Sequence, residues 1–332
     1  MVRSPEALRS VRSLIVVFHP FDMKTAFLFP GQGSQFAGMG KSLAESFQAA
    51  RECFQQADDA LGFSLSKMCF EGPEEDLKRT EFQQPALLAV SIAAATVLRN
   101  EVGEPQYVAG HSLGEYSALV AAGSLDFGEA LRLVNKRGRY MQEAVPAGVG
   151  AMAALLRLPE GKLDGILAEA AQGEIVTPAG FNSPDQIVIS GNRGAVERAM
   201  ELAKASGAKR AVPLPVSAPF HCPLMKPAQE RLLPDLEATH FADLRIPLIN
   251  NWQAREIGTG DEARVGLYQQ VPNPVRWTDT IGYLAANGVE RWFEVGAGAV
   301  LSELLRTIVA GAKCTSFGEA KDMEKLGGAS SA

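Results

Sequence analysis

Ser112 stands in Gly110-His111-Ser112-Leu113-Gly114, a G-x-S-x-G run between an apolar stretch that reads as a strand, Tyr107 to Ala109, and a helix ending near Gly123. Glycines on both flanks permit a sharp, strained turn that presents the serine oxygen outward. The first N–H groups of the following helix are left without intrahelical partners and can face a developing oxyanion. The chemistry this pattern serves is acyl transfer by way of a covalent ester on Ser112.

A serine hydroxyl needs a base, and the chain has four histidines, His19, His111, His221 and His240. His19 precedes the first convincing strand, and His111, as the immediate neighbour of Ser112, must point to another side of the turn. His221 lies in Ser217-Ala218-Pro219-Phe220-His221-Cys222-Pro223, where two prolines restrict the loop. His240, in a less constrained stretch, is the second candidate, and a structural role is open for both.

A third reactive group comes from helical periodicity. Asp126 and Glu129 form a capping-box-like start for a helix running to about Val145, on which Phe127, Ala130, Leu131, Val134, Gly138 and Met141 share one apolar sector. Arg137 falls inside that sector, whereas Arg132, Lys136 and Arg139 group on the opposite side. A buried guanidinium needs an anionic partner. Either a structural Asp or Glu or a substrate carboxylate, gripped bidentately, can fill that place.

The elements that must carry these residues alternate. Ala26 to Phe29 is a short strand leading into the turn Pro30 to Gly33, and a helical stretch follows to about Leu61; Pro85 reads as the first position of a nearly all-apolar helix through Leu98. Strands alternating with helices predict a mainly parallel sheet covered on both faces. From 148 to 216 the rhythm becomes β-α-β-β-α-β: strands 151–156, 175–181, 186–190 and 209–214, with helices 161–171 and 194–206. That is the ferredoxin-like order, read as an inserted small domain. The large domain is then 23–147 plus 217–317, to which Leu248 to Asn250 and Arg291 to Val295 return, and 318–332 is a polar, frayed tail.

Composition sets the outer bounds. The 332 residues suit one large domain with a smaller insert, and 46% hydrophobic with 21% charged residues excludes a disordered or fibrous chain. A net charge of -6 without a basic block speaks against nucleic acid. Cys53, Cys69, Cys222 and Cys314 are far apart, with no histidine at metal spacing, so neither a metal site nor a disulfide framework is expected and a reducing cytoplasm fits. Residues 1–22, with Arg3, Arg9 and Arg12 before the run Leu14 to Phe18, are too short in apolar length for a signal peptide and are read as an extension outside the fold. No apolar stretch is both long enough and free enough of turn signals to span a membrane.

Several ordered runs together resemble the malonyl-CoA:acyl carrier protein transacylases and the acyltransferase domains of polyketide synthases. They are FLFPGQGSQ (Phe27 to Gln35), QPALLA (Gln84 to Ala89), GHSLGEYSALVAAG (Gly110 to Gly123), RGRYMQEAVP (Arg137 to Pro146), FNSPDQIVISG (Phe181 to Gly191), PVSAPFHCPLM (Pro215 to Met225), NPVRW (Asn273 to Trp277) and EVGAG (Glu294 to Gly298). The likeness spans Met23 to about Val309. It implies an α/β-hydrolase-like fold with a ferredoxin-like insertion. By the same resemblance Ser112 is the nucleophile, His221 its general base and Arg137 the clamp on the malonyl carboxylate. The backbone N–H groups of Gln32 and Leu113 become the oxyanion hole, and the backbone carbonyl of Gln270 orients the histidine. The implied reaction is ping-pong, with malonyl-CoA as donor, no bound cofactor, and as acceptor the phosphopantetheine thiol of an acyl carrier protein in fatty acid synthesis; a monomer is expected. Gly180, Trp252-Gln253 and the missing Pro and Lys in EVGAGAV depart from the family pattern. Phe220 before His221 is the choice associated with malonyl over methylmalonyl.

Two other activities share the serine turn. A free-standing polyketide-type acyltransferase would use the same residues. An esterase or thioesterase would use water and a carboxylate behind the histidine, and Asp126, Asp164 and Asp185 lie between Ser112 and His221 in the sequence.

Overall fold

The computed structural model describes residues 23–327. The proposed 1–22 extension, His19 included, and the last five residues of the tail lie outside the described residues. In chain order the strands are β1 (Lys24–Phe29), β2 (Tyr107–Gly110), β3 (Gly150–Leu156), β4 (Val176–Ser183), β5 (Gln186–Asn192), β6 (Arg210–Pro213), β7 (Leu248–Ile249), β8 (Glu256–Ile257), β9 (Val289–Val295) and β10 (Cys314–Phe317).

A six-stranded sheet runs β10-β9-β1-β2-β7-β8, parallel throughout except for the antiparallel edge pair β7 and β8. From Ala26 onward β1 is apolar without alternation because both of its faces are covered. Phe27 and Phe29 enter a core shared with the helix Thr80–Val102, while Ala26 and Leu28 enter a second core with Trp277 and Leu301. β2 divides the same way, Val108 to one side and Ala109 to the other. This central pair of buried strands carries the serine turn at its C-terminal end, where parallel sheets usually place their ligands.

The segment 148–216 forms a four-stranded antiparallel sheet, β4-β5-β3-β6, with the helices Leu163–Ala171 and Arg193–Ala205. Each boundary lies within two residues of the one its sequence pattern gives. Ala153, Leu155 and Ile189 pack on these helices in a core of their own, while Met152, Ala154 and Val188 face the large core.

Two expectations are corrected. Pro85 does not open its helix: the helix begins at Thr80 and continues through Pro85 to Val102. Proline removes the N–H that would bond the carbonyl four residues earlier, that of Glu81. Asn135 Nδ2 donates to that oxygen instead, at 2.8 Å, so the turn persists. The uninterrupted helix is, by length and composition, apolar enough to cross a membrane, which the sequence did not suggest; here most of its side chains are buried in the core. The tail is also more ordered than its polarity implies. Residues 318–327 follow β10 into a short 3-10 turn and the helix Met323–Gly327. Asp322 accepts the backbone N–H groups of Gly318 and Glu319, both at 2.9 Å, and Ser42 binds Glu319 and the N–H of Ala320.

Candidate active site

Ser112 is the second of two residues between β2 and the helix Leu113–Ala121, with φ 52° and ψ -106°, a conformation costly for any residue but glycine. The flanking glycines are required by close approach. A Cβ on Gly110 would sit 1.9 Å from Gly114 O, and one on Gly114 would sit 2.1 Å from Phe29 O. Asn251 braces the turn by accepting the Ser112 N–H on Oδ1 and donating Nδ2 to Gly110 O, both at 2.6 Å.

His221 comes from the loop before the 3-10 turn Pro223–Met225, itself at φ 58°. Its Nε2 lies 2.7 Å from Ser112 Oγ and its Nδ1 lies 3.0 Å from Gln270 O. A carbonyl can only accept, so Nδ1 carries the proton and Nε2 is left to take one from the serine. Burial, and then the charge of Arg137, push the His221 pKa down to about 3, which keeps the ring neutral and its Nε2 lone pair free. Among the described residues no carboxylate stands behind it. Asp126 caps the helix Phe127–Glu143, Asp185 pairs with Arg157 and Asp164 is exposed. His240 is exposed beyond the helix Lys226–Ala238 and takes no part. His111 points away from the serine, as expected, with Nε2 at 2.8 Å from Asn182 Oδ1 and its ring tilted against Trp277.

Arg137 is 0% exposed on the helix Phe127–Glu143. Its Nη1 donates to Gln84 Oε1 at 2.7 Å, and its Nη2 to Gln270 Oε1 at 2.8 Å and to Ser112 Oγ at 3.2 Å. It forms no ion pair with an Asp or Glu among the described residues. Of the two partners considered for this guanidinium, the structural carboxylate is therefore not in contact, and neutral amides aim the charge at the serine oxygen. Gln84 Nε2 lies 3.9 Å from Met141 Sδ, which turns its Oε1 toward the arginine.

Gln32 lies in the turn after β1, where its side chain donates to Gln83. Its backbone N–H and that of Leu113 have no acceptor among the described residues. A cavity of about 780 Å³ lined by Gln32, Gln83, Leu214, Val216, Ser217 and Phe220 adjoins the turn. The arrangement can therefore deprotonate a hydroxyl, hold a carboxylate beside it and admit a long substituent.

Gln83, Gln84, Asn251 and Glu115 escaped the sequence reading. The criterion that singled out Arg137, a polar side chain on an apolar helix face, applies equally to Gln84 and Glu115, both 0% exposed. Asn251 carries no such signal, because its partners are distant in sequence.

A family model described as acyl transferase domain matches residues 26–326. The chain belongs to the acyl transferase domain family. Within that family it is 49% identical over 285 residues to the malonyl CoA-acyl carrier protein transacylase of Escherichia coli strain K12, covering 86% of this chain and 92% of that one. An acyl carrier protein S-malonyltransferase of Vibrio cholerae superposes with a TM-score of 0.89 at 45% identity, covering 91% of this chain and 99% of that one. A malonyl-transacylase in complex with its type II polyketide synthase acyl carrier protein superposes with a TM-score of 0.88 at 45% identity, covering 91% and 98%.

Proposed function

We propose that this acyl transferase moves a malonyl group from malonyl-CoA to the phosphopantetheine thiol of an acyl carrier protein, through a malonyl ester on Ser112, in cytoplasmic fatty acid synthesis. The observation that carries this reading is one oxygen with two neighbours: Ser112 Oγ lies 2.7 Å from a neutral imidazole and 3.2 Å from a buried guanidinium that has no carboxylate of its own.

In the first half-reaction His221 Nε2 takes the Ser112 proton as Oγ attacks the thioester carbonyl. The oxyanion forms opposite the free N–H groups of Gln32 and Leu113, and Arg137 holds the distal carboxylate. The C–S bond breaks, His221 returns the proton to the CoA sulfur, and the ester remains. The carrier thiol then repeats the steps in reverse order, giving up its proton to His221. A carbonyl behind the histidine gives a weaker base than an aspartate does. A thiol, with an ordinary pKa near 8.5 in cysteine, leaves the intermediate readily, so the weaker base suffices for thiol exchange.

The fold supports the same reading. The mainly parallel sheet with its serine turn after β2 is α/β-hydrolase-like. The order β4-β5-β3-β6, or 2-3-1-4 within the 148–216 insert, is the arrangement of a ferredoxin-like unit. The large domain is then 23–147 with 217–317, and a monomer needs no partner subunit to complete the site.

Intact mass measured after incubation with malonyl-CoA tests the proposal. Wild type gains one malonyl group, Ser112→Ala gains none, and Arg137→Ala loses malonyl while gaining relative activity toward acetyl-CoA. An unmodified wild type, or an unchanged malonyl preference in Arg137→Ala, overturns it. Competition among malonyl-, methylmalonyl- and acetyl-CoA with a carrier protein as acceptor measures the acyl preference directly.

A further inference from the structure

One buried carboxylate near Ser112 is used by none of these steps. Glu115 lies in the first turn of the helix Leu113–Ala121 and is 0% exposed. A carboxylate so placed is costly unless hydrogen bonds compensate it. Its Oε2 accepts the Asn251 N–H at 3.0 Å and Gln270 Nε2 at 2.8 Å, while Oε1 has no partner among the described residues.

Both donors lead to the reacting groups. Asn251 Oδ1 takes the Ser112 N–H. Gln270 Nε2 also donates to Ser112 O at 3.0 Å, which leaves Gln270 Oε1 free to turn to Arg137 Nη2 at 2.8 Å. An amide can face either way unless its neighbours decide. Here an acceptor-only carboxylate oxygen and a carbonyl take the NH₂, and the guanidinium meets the oxygen. Burial raises the Glu115 pKa to about 7, while the hydrogen bonds from Gln270 and Asn251 and the charge of Arg137 oppose that rise. The fold thus keeps an acid that is costly to bury, and its Oε2 is the acceptor of two buried donors.

We infer that Glu115 is a positioning residue, which through the Gln270 side chain fixes the direction in which Arg137 meets the substrate carboxylate. The inference rests on the malonyl-transfer reading above and adds a determinant of acyl selectivity that never touches substrate. Gln270 then has two duties: its backbone carbonyl sets the His221 tautomer and its side chain relays Glu115 to Arg137.

The test is the ratio of malonyl to acetyl acylation of Ser112, with kcat and KM resolved, in Glu115→Gln, Glu115→Asp and Glu115→Ala. Glutamine keeps an acceptor oxygen in place, and its ratio stays within about threefold of wild type. Aspartate keeps the charge but withdraws the oxygen by one methylene, and alanine removes it; in both the ratio falls about tenfold, as for coupled neighbours in one network. Gln270→Ala, which retains the backbone carbonyl, lowers the ratio by the same factor and adds little in the double variant with Glu115→Ala. A wild-type ratio in Glu115→Asp, or a Glu115→Gln no better than Glu115→Asp, overturns the inference even if Glu115→Ala does not fold. A wild type that forms no malonyl ester, or an indifferent Arg137→Ala, instead overturns the malonyl reading beneath it.

Discussion

At Ser112 the strained backbone, the hydrogen bond to His221 and the approach of Arg137 all converge on one oxygen, and the cost of assembling them should be measurable. His221 is the clearest case. Its pKa is depressed from 6.5 to about 3, chiefly by burial, so the unfolded chain binds the proton that the folded chain refuses. Stability therefore falls as the pH drops from about 6.5 toward 3. His221→Asn removes this titration. Chemical denaturation of both proteins across that range should show the variant losing less, the difference changing by up to roughly 1.4 kcal/mol per pH unit. Parallel stability curves would show that His221 does not refuse the proton. What sequence could read at this scale was the reactive atoms. Ser112 is announced by its glycines, and Arg137 by a charge on an apolar helix face. Asn251 and Gln270 were not readable as side-chain partners, because an amide's role is set by the groups that tertiary packing brings to it.

The element that sets Arg137 is the contact between the helices Thr80–Val102 and Phe127–Glu143. Gly138, next to Arg137, lies against the first turn of the other helix, where an added Cβ would come 2.4 Å from Thr80 O and 2.8 Å from Glu81 Cα. Both obstacles are backbone, so neither can rotate aside. That closeness also lets Asn135 reach Glu81 O and Arg137 reach Gln84. Gly138→Ala should force the helices apart at a cost of about 1–3 kcal/mol, the usual range for overpacking. It should lower malonyl more than acetyl acylation, since Arg137 and Gln84 shift together. Thermal melting with the two acylation rates checks this, and an unchanged melting temperature would mean the helices yield freely. The periodicity of both helices was legible in the sequence. The true start of the first was not, because Pro85 reads as a boundary when its compensating donor lies fifty residues away, on the other helix.

On the scale of the molecule, the sequence pattern suggests two units, and the strands between 150 and 213 form an antiparallel sheet separate from the mainly parallel one. How firmly the units are joined was not legible, since the joining bonds link residues distant in sequence and some run between backbones. Phe181 N–H donates to Val275 O at 2.9 Å and Val275 N–H to Ala179 O at 3.0 Å, so β4 pairs with the same segment that supplies Gln270 to His221. Thr278 Oγ donates to Phe181 O at 2.9 Å, and His111 meets Asn182. Met152 and Ala154 on one face of β3 belong to the large core, while Ala153 and Leu155 belong to the small one. Separating the units would expose that apolar face and break backbone pairs beside the active site, so the small unit should have little stability of its own. The two are expected to unfold as one. Trp252, Trp277 and Trp292 all lie outside 148–216, so tryptophan fluorescence follows the large unit, whereas far-UV circular dichroism follows both. In a urea titration the two signals should give coincident transitions with a single midpoint. A dichroism change that precedes the fluorescence change, with acylation of Ser112 persisting between them, would show instead that the small unit opens independently.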